Sequence, residues 1–184
     1  MKRRQFLGNA GAAAAAAAPM AAAPFQTPAP MGNQPAIKIT DIKTFLVWSG
    51  GRNWIYVKVL TDQGIEGIGE AYSCGPDEAT VKVIEDYKLW LVGQDPRNIQ
   101  YLWDLMYNTT RFPGGSVVNS AISGIEHALW DIAGKAAGLP CWALLGGRVR
   151  QKIRVYQSIG GSNAQEAGEN AQRLIEEHGY TAVK

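Results

Sequence analysis

The apolar residues of this chain change period at one place, and that change limits the possible folds more than the composition does. From Ile37 to Ala71 they alternate as in strands, whereas beyond Gly75-Pro76 they recur every three or four positions, as on one face of a helix. Ile37-Lys38-Ile39-Thr40, Ile42 to Val47 and Trp54 to Leu60 are rich in β-branched and aromatic residues, and Thr61-Asp62-Gln63-Gly64 is a turn. Ile65 to Ala71 returns as a short strand interrupted by Gly67 and Gly69, so the segment predicts a three-stranded antiparallel meander. Glycines inside such a strand mark a bulge or a close backbone approach.

Three helices follow. Asp77 is expected to cap the first, which carries Val81, Ile84, Tyr87 and Leu91 on one face and stops at Gly93. Asp95-Pro96 is expected to cap and open the second, with Ile99, Leu102, Trp103 and Met106 turned inward. Ser116 starts the third, where Val118, Ala121, Ile122, Ile125, Leu129, Ile132, Ala133 and Ala136 recur at helical spacing until Gly138-Leu139-Pro140. Small residues on it, Gly124 and Ala128 among them, permit close packing against a neighbour. Ile153 to Ile159 then predicts a strand, Asn163-Ala164-Gln165-Glu166 a capping box, and His178-Gly179 the end of a helix before a second strand at Thr181-Ala182-Val183-Lys184. Strand, helix and strand in that order make a βαβ unit with a parallel pair. One helix cannot cover both faces of such a sheet, so the unit is expected to be incomplete as it stands.

The N-terminus is expected to be a signal rather than part of the fold. Met1-Lys2-Arg3-Arg4-Gln5-Phe6-Leu7 leads into an acid-free alanine run, Ala12 to Ala18, and Met20-Ala21-Ala22-Ala23 offers a small-residue cleavage site. Arg3-Arg4 resembles the address read by the twin-arginine export machinery, which implies an exported, periplasmic location. The stretch from Gly8 to Ala18 is too short and too weakly hydrophobic for a stable membrane anchor. Removing Lys2, Arg3 and Arg4 changes 18 basic against 16 acidic residues to 15 against 16. The remaining chain is nearly neutral and lacks a basic stripe for nucleic acid. Arg148, Arg150, Lys152 and Arg154 alternate as a solvated face entering a strand. Cys74 and Cys141 meet an oxidising compartment after export, but two cysteines do not make a disulfide framework. His127 and Asp131 share a helix face, which is too few ligands for a transition-metal site.

Several spaced motifs occur in order: Val59 to Glu70, Gly93-Gln94-Asp95-Pro96, Ser123 to Lys135, Gly138-Leu139-Pro140, Leu144-Leu145-Gly146-Gly147 and Tyr156. This series resembles the enolase superfamily in the branch of mandelate racemase and muconate-lactonizing enzymes, most closely its galactonate dehydratase-type sugar-acid dehydratases. The resemblance implies an α+β capping domain at residues 36–148, after an export signal and linker at 1–35. It also implies the start of a TIM-type (β/α) barrel at 149–184, with substrate held between lid loops and strand ends. It further implies a Mg²⁺-dependent lyase that removes the α-proton of a sugar-acid carboxylate and expels a β-hydroxyl. Racemases, epimerases and cycloisomerases of the same branch, or a non-catalytic exported module, are the alternatives.

Lys184 aligns with the first lysine of the family's Lys-x-Lys segment and is the candidate catalytic residue. The metal ligands belong to the third, fourth and fifth barrel strands, beyond the end of this chain, so residues 1–184 alone are expected to be inactive. Glu70, Glu126, Asp131 and Glu176-Glu177 are read as structural. The lid loops fall at Ser49-Gly50-Gly51-Arg52-Asn53-Trp54 and Tyr72-Ser73-Cys74-Gly75, and Arg52 and Trp54 are the candidate substrate-binding residues, Arg52 through its planar donor fork. Members of the family commonly form homo-oligomers.

Overall fold

The computed structural model describes residues 35–184 except Cys74. The signal expected at Met1 to Ala23 and any pairing of Cys74 lie outside the described residues. Two compact units are present, one ending at Ile132 and the other comprising Ala133–Lys184.

The first unit is built on the expected meander. Strands β1 (Ile39–Trp48), β2 (Asn53–Thr61) and β3 (Glu66–Ala71) pair antiparallel in the order β1-β2-β3. The two stretches read before and after Asp41 form one strand whose register shifts between Ile39 and Asp41, a local irregularity that keeps Ile39 and Ile42 both buried. Alternation sends Ile55, Val57 and Val59 into the core.

Three of the helices are α1 (Asp77–Leu91), α2 (Ile99–Asn108) and α3 (Ser116–Ala137). Ile84, Tyr87 and Leu91 seal α1 against the sheet, Leu102 and Met106 bury the inner face of α2, and Ile122, Ile125, Leu129 and Ile132 line α3. The sequence misplaced two caps. Pro76, not Asp77, occupies the N-cap of α1. The second helix begins at Ile99, because the Asp95 carboxylate is engaged by Arg97 through its backbone N–H at 2.9 Å and its guanidinium at 2.6 Å. A planar fork gripping a carboxylate is a stronger interaction than a neutral cap, and it closes a turn where a helix was expected to start.

The glycines of β3 mark a close approach. A Cβ at Gly67 would lie 2.0 Å from the Ala128 carbonyl oxygen, one at Gly69 2.1 Å from the Gly124 carbonyl oxygen, and one at Gly124 2.8 Å from the Ala71 Cβ. The Asp131 carboxylate accepts from the Ile68 N–H at 2.9 Å, so α3 lies directly along β3. Gly in a helix interior costs about 1 kcal/mol against Ala, which this backbone-to-backbone packing offsets.

In the second unit a short helix, α4 (Cys141–Leu144), precedes α5 (Ala164–His178). The Asn163 side chain accepts from the Glu166 N–H at 2.9 Å, and Gly179 closes the helix in the left-handed region at φ 70°. The box is displaced by one residue on its return arm, since the Glu166 carboxylate takes the N–H of Ser162 at 2.9 Å and its hydroxyl as well. The parallel pair expected at Ile153 to Ile159 is shorter than read: Gln157 bridges Val183, with Ile159 N donating to Lys184 O at 2.8 Å and Lys184 N to Gln157 O at 2.9 Å. No described helix is long and apolar enough to cross a membrane.

Candidate functional site

Strand alternation builds the site. Ile55 pairs with Ala71, so continuing the antiparallel register sets Trp54 opposite Tyr72, and Asn53 opposite Ser73 on the other face. Residues 52 and 54 share a face at period two, and there the Arg52 guanidinium carbon lies 5.1 Å from the Trp54 ring centroid and 5.2 Å from that of Tyr72. Trp54 itself stacks on Tyr56, at 6.4 Å between centroids and an interplanar angle of 11°.

The Arg52 backbone is held as well. Ser49 donates to the Arg52 carbonyl from its N–H at 3.0 Å and its hydroxyl at 2.7 Å, closing the β1–β2 turn around Gly50, whose φ of 89° excludes most side chains. Among the described residues, no carboxylate forms an ion pair with Arg52 and no acceptor takes its guanidinium hydrogens. An exposed guanidinium against an aromatic face gains about 0.5–1 kcal/mol per ring and keeps its edge donors open. The arrangement presents a forked cation to an anionic or polyhydroxylated molecule.

On the opposite face, one carboxylate joins the two loops. Asp77, in the first turn of α1, accepts from Asn53 Nδ2 at 2.9 Å through one oxygen and from the Ser73 hydroxyl at 2.8 Å through the other. Arg52 and Trp54 were identified as candidates from the sequence. In the sequence Tyr72 and Ser73 are loop residues only, and Asp77 is a candidate helix cap. The signal that separates these roles is register across the meander, visible only once β2 and β3 are paired.

Lys184 belongs to the second unit. Its ammonium nitrogen lies 5.9 Å from the Tyr156 ring centroid, and its backbone closes the parallel bridge. Arg154 ties the same two segments, donating from Nε to the Thr181 hydroxyl at 3.0 Å and from Nη2 to the Thr181 carbonyl at 2.8 Å.

Four of the acidic residues read as structural have structural partners: Asp131 accepts from the Ile68 N–H at 2.9 Å, Glu126 from Trp130 Nε1 at 3.3 Å, Glu176 from Gln172 at 2.8 Å, and Glu177 from Arg173 at 3.0 Å. Among the described residues, no group of three or more His, Cys, Asp or Glu side chains is placed to hold a metal ion.

A meander backed by three helices, with paired loops at one end of its strands and a βαβ segment after it, defines an α+β capping domain of the enolase-superfamily kind. Residues 35–146 match the family described as mandelate racemase / muconate lactonizing enzyme, N-terminal domain. The chain belongs to this family.

Two of its relatives are D-galactonate dehydratases. That of Variovorax paradoxus is 40% identical over 140 residues, covering 76% of this chain and 36% of the relative. That of Klebsiella pneumoniae is 42% identical over 139 residues, covering 74% and 36%. Among solved structures, an enolase from Pantoea ananatis with bound D-gluconate and Mg has a TM-score of 0.73 at 37% identity, over 80% of this chain and 36% of that one. A mandelate racemase/muconate lactonizing enzyme from Sulfitobacter sp has a TM-score of 0.69 at 34% identity, over 80% and 42%. The chain spans about a third of the length of the curated relatives it matches.

Proposed function

We propose that residues 35–184 are the lid and first barrel segment of an exported Mg²⁺-dependent sugar-acid dehydratase, in which Arg52 is a substrate-binding residue and Lys184 a catalytic one. The observation that carries the reading is the Arg52 fork, seated on Trp54 and Tyr72 and without a carboxylate partner among the described residues. A hexonate offers a carboxylate and a row of hydroxyls, all of which can accept from such a fork, and Trp54 and Tyr72 add apolar faces against which C–H groups can pack. The D-galactonate dehydratase relatives and the gluconate-bound neighbour support this substrate class and the lyase reaction.

Mg²⁺, when bound, would stabilise charge on the substrate carboxylate as the α-proton leaves. We place its ligands outside residues 35–184, so this stretch alone should be inactive. Its own work is to bind and orient the sugar acid and to keep Lys184 at the end of a paired segment, available for a proton or for electrostatic support. The protein acts, on this reading, as a homo-oligomer outside the cytoplasm, carried there by the twin-arginine route.

The test is turnover of D-galactonate and D-gluconate by the full-length protein with Mg²⁺, followed as formation of a 2-keto acid. Arg52→Ala is expected to raise KM about 10- to 100-fold, the loss of one or two charge-assisted hydrogen bonds, with an unchanged circular dichroism spectrum. Deuterium exchange at the α-carbon without loss of water would replace the dehydratase reading with a racemase or epimerase one.

A further inference from the structure

The Arg52 seat is made by two loops that are separate in sequence, and something must hold their spacing. The aromatic walls are Trp54 and Tyr72, and the residue adjoining each, Asn53 and Ser73, turns to the opposite face and meets the same carboxylate. We propose that Asp77 is a positioning residue: by accepting from Asn53 with one oxygen and from Ser73 with the other, it sets the separation of the two loops and so holds the aromatic seat of Arg52.

Each oxygen has its own donor, at 2.9 and 2.8 Å, so neither arm can lengthen by more than a few tenths of an ångström without losing its hydrogen bond. The carboxylate is anchored by α1, whose Ile84, Tyr87 and Leu91 are buried against the sheet, so Asp77 does not drift with the loops. A movement in either loop is therefore transmitted to the other through one residue on the far side of the strands. The purpose of the seat rests on the sugar-acid reading above. The clasp itself rests only on the geometry.

The two can be tested apart in the full-length protein labelled with ¹⁵N-arginine. The Nε–Hε resonance of Arg52, identified by its loss in Arg52→Lys, reports the ring currents of Trp54 and Tyr72. Asp77→Ala and Asn53→Asp, the latter setting two carboxylates against each other, are each expected to move this resonance toward the free-arginine position. KM for D-gluconate should rise about tenfold with kcat changed less, as for a lost binding interaction. The exchange variant Asn53→Asp/Asp77→Asn restores a donor facing an acceptor with the roles reversed, and should recover both resonance and KM to within about twofold. If Asp77→Ala does not fold, Ser73→Ala removes a single arm and should give a smaller displacement in the same direction. An Arg52 resonance unmoved in folded Asp77→Ala or Asn53→Asp, or no recovery in the exchange variant, overturns the clasp. A displaced resonance with KM unchanged supports the clasp and overturns the substrate role of Arg52 instead.

Discussion

The unit ending at Ile132 and the unit Ala133–Lys184 are held together in different ways. All the large side chains that are fully buried among the described residues, from Ile39 to Ile132, belong to the first. In the second, Val149 is 91% and Ile153 75% exposed, and α5 has no buried residue. Its helix is sustained locally instead, by the Asn163 cap, the Arg173–Glu177 and Gln172–Glu176 pairs and the left-handed Gly179. Pairs of that kind contribute about 0.2–0.5 kcal/mol each, against roughly 1.5–3 kcal/mol for fully burying one large apolar side chain. Tertiary packing thus shapes the first unit down to single atoms, whereas the helix of the second follows rules readable over four or five residues.

Substitution at the β3–α3 seam should break this contrast most visibly. Gly69→Val would drive a branched side chain into the Gly124 carbonyl, 2.1 Å from where its Cβ must sit, and is expected to destabilise by about 4 kcal/mol or more in urea unfolding. Unfolding within 1 kcal/mol of wild type would mean that β3 and α3 are not in backbone contact.

A matched pair of leucines sharpens the comparison further. Leu129→Ala empties a fully buried position and should cost about 3 kcal/mol, whereas Leu174→Ala, half-buried on α5, should cost under about 1 kcal/mol. Equal losses would show that the second unit has a core of its own.

A smaller effect than at the seam or at Leu129 is acidic. Burial of Asp95 would raise its pKa, but the Arg97 guanidinium and backbone N–H outweigh it and hold the carboxyl below its ordinary value. A carboxyl depressed in the folded state contributes stability that is present above its unfolded value of about 3.9 and is lost as pH falls through the folded value. Asp95→Asn should therefore cost about 2 kcal/mol near neutrality, below the range for fully buried pairs because Asp95 keeps 22% exposure beside an Arg97 of 8%. It should also flatten the stability loss below about pH 4, as read by thermal melts between pH 2.5 and 7. A variant as acid-sensitive as wild type would assign that loss to other carboxylates.

Much of the molecule is legible in its sequence. The meander, the three apolar helix faces, the Asn163 cap and the Gly179 stop each depend on residues close in sequence. The β3 glycines announced a bulge or a close approach, though not which of the two, nor that Gly124 and Ala128 would make the contact. Arg52 and Trp54 stood out as loop residues of suitable chemistry, but their seat depended on Tyr72.

Asp77 and Asp95 were each read as the residue opening a helix, because an aspartate before an apolar-periodic run is the usual sign of a cap. The sequence by itself determined where backbone groups need a partner and which side chains alternate to one face. Only the tertiary structure decided which donors each carboxylate would meet. A hydrogen bond forms within about 3 Å, and whether Asn53 arrives there for Asp77, 24 residues away, depends on how β2, β3 and α1 close on one another.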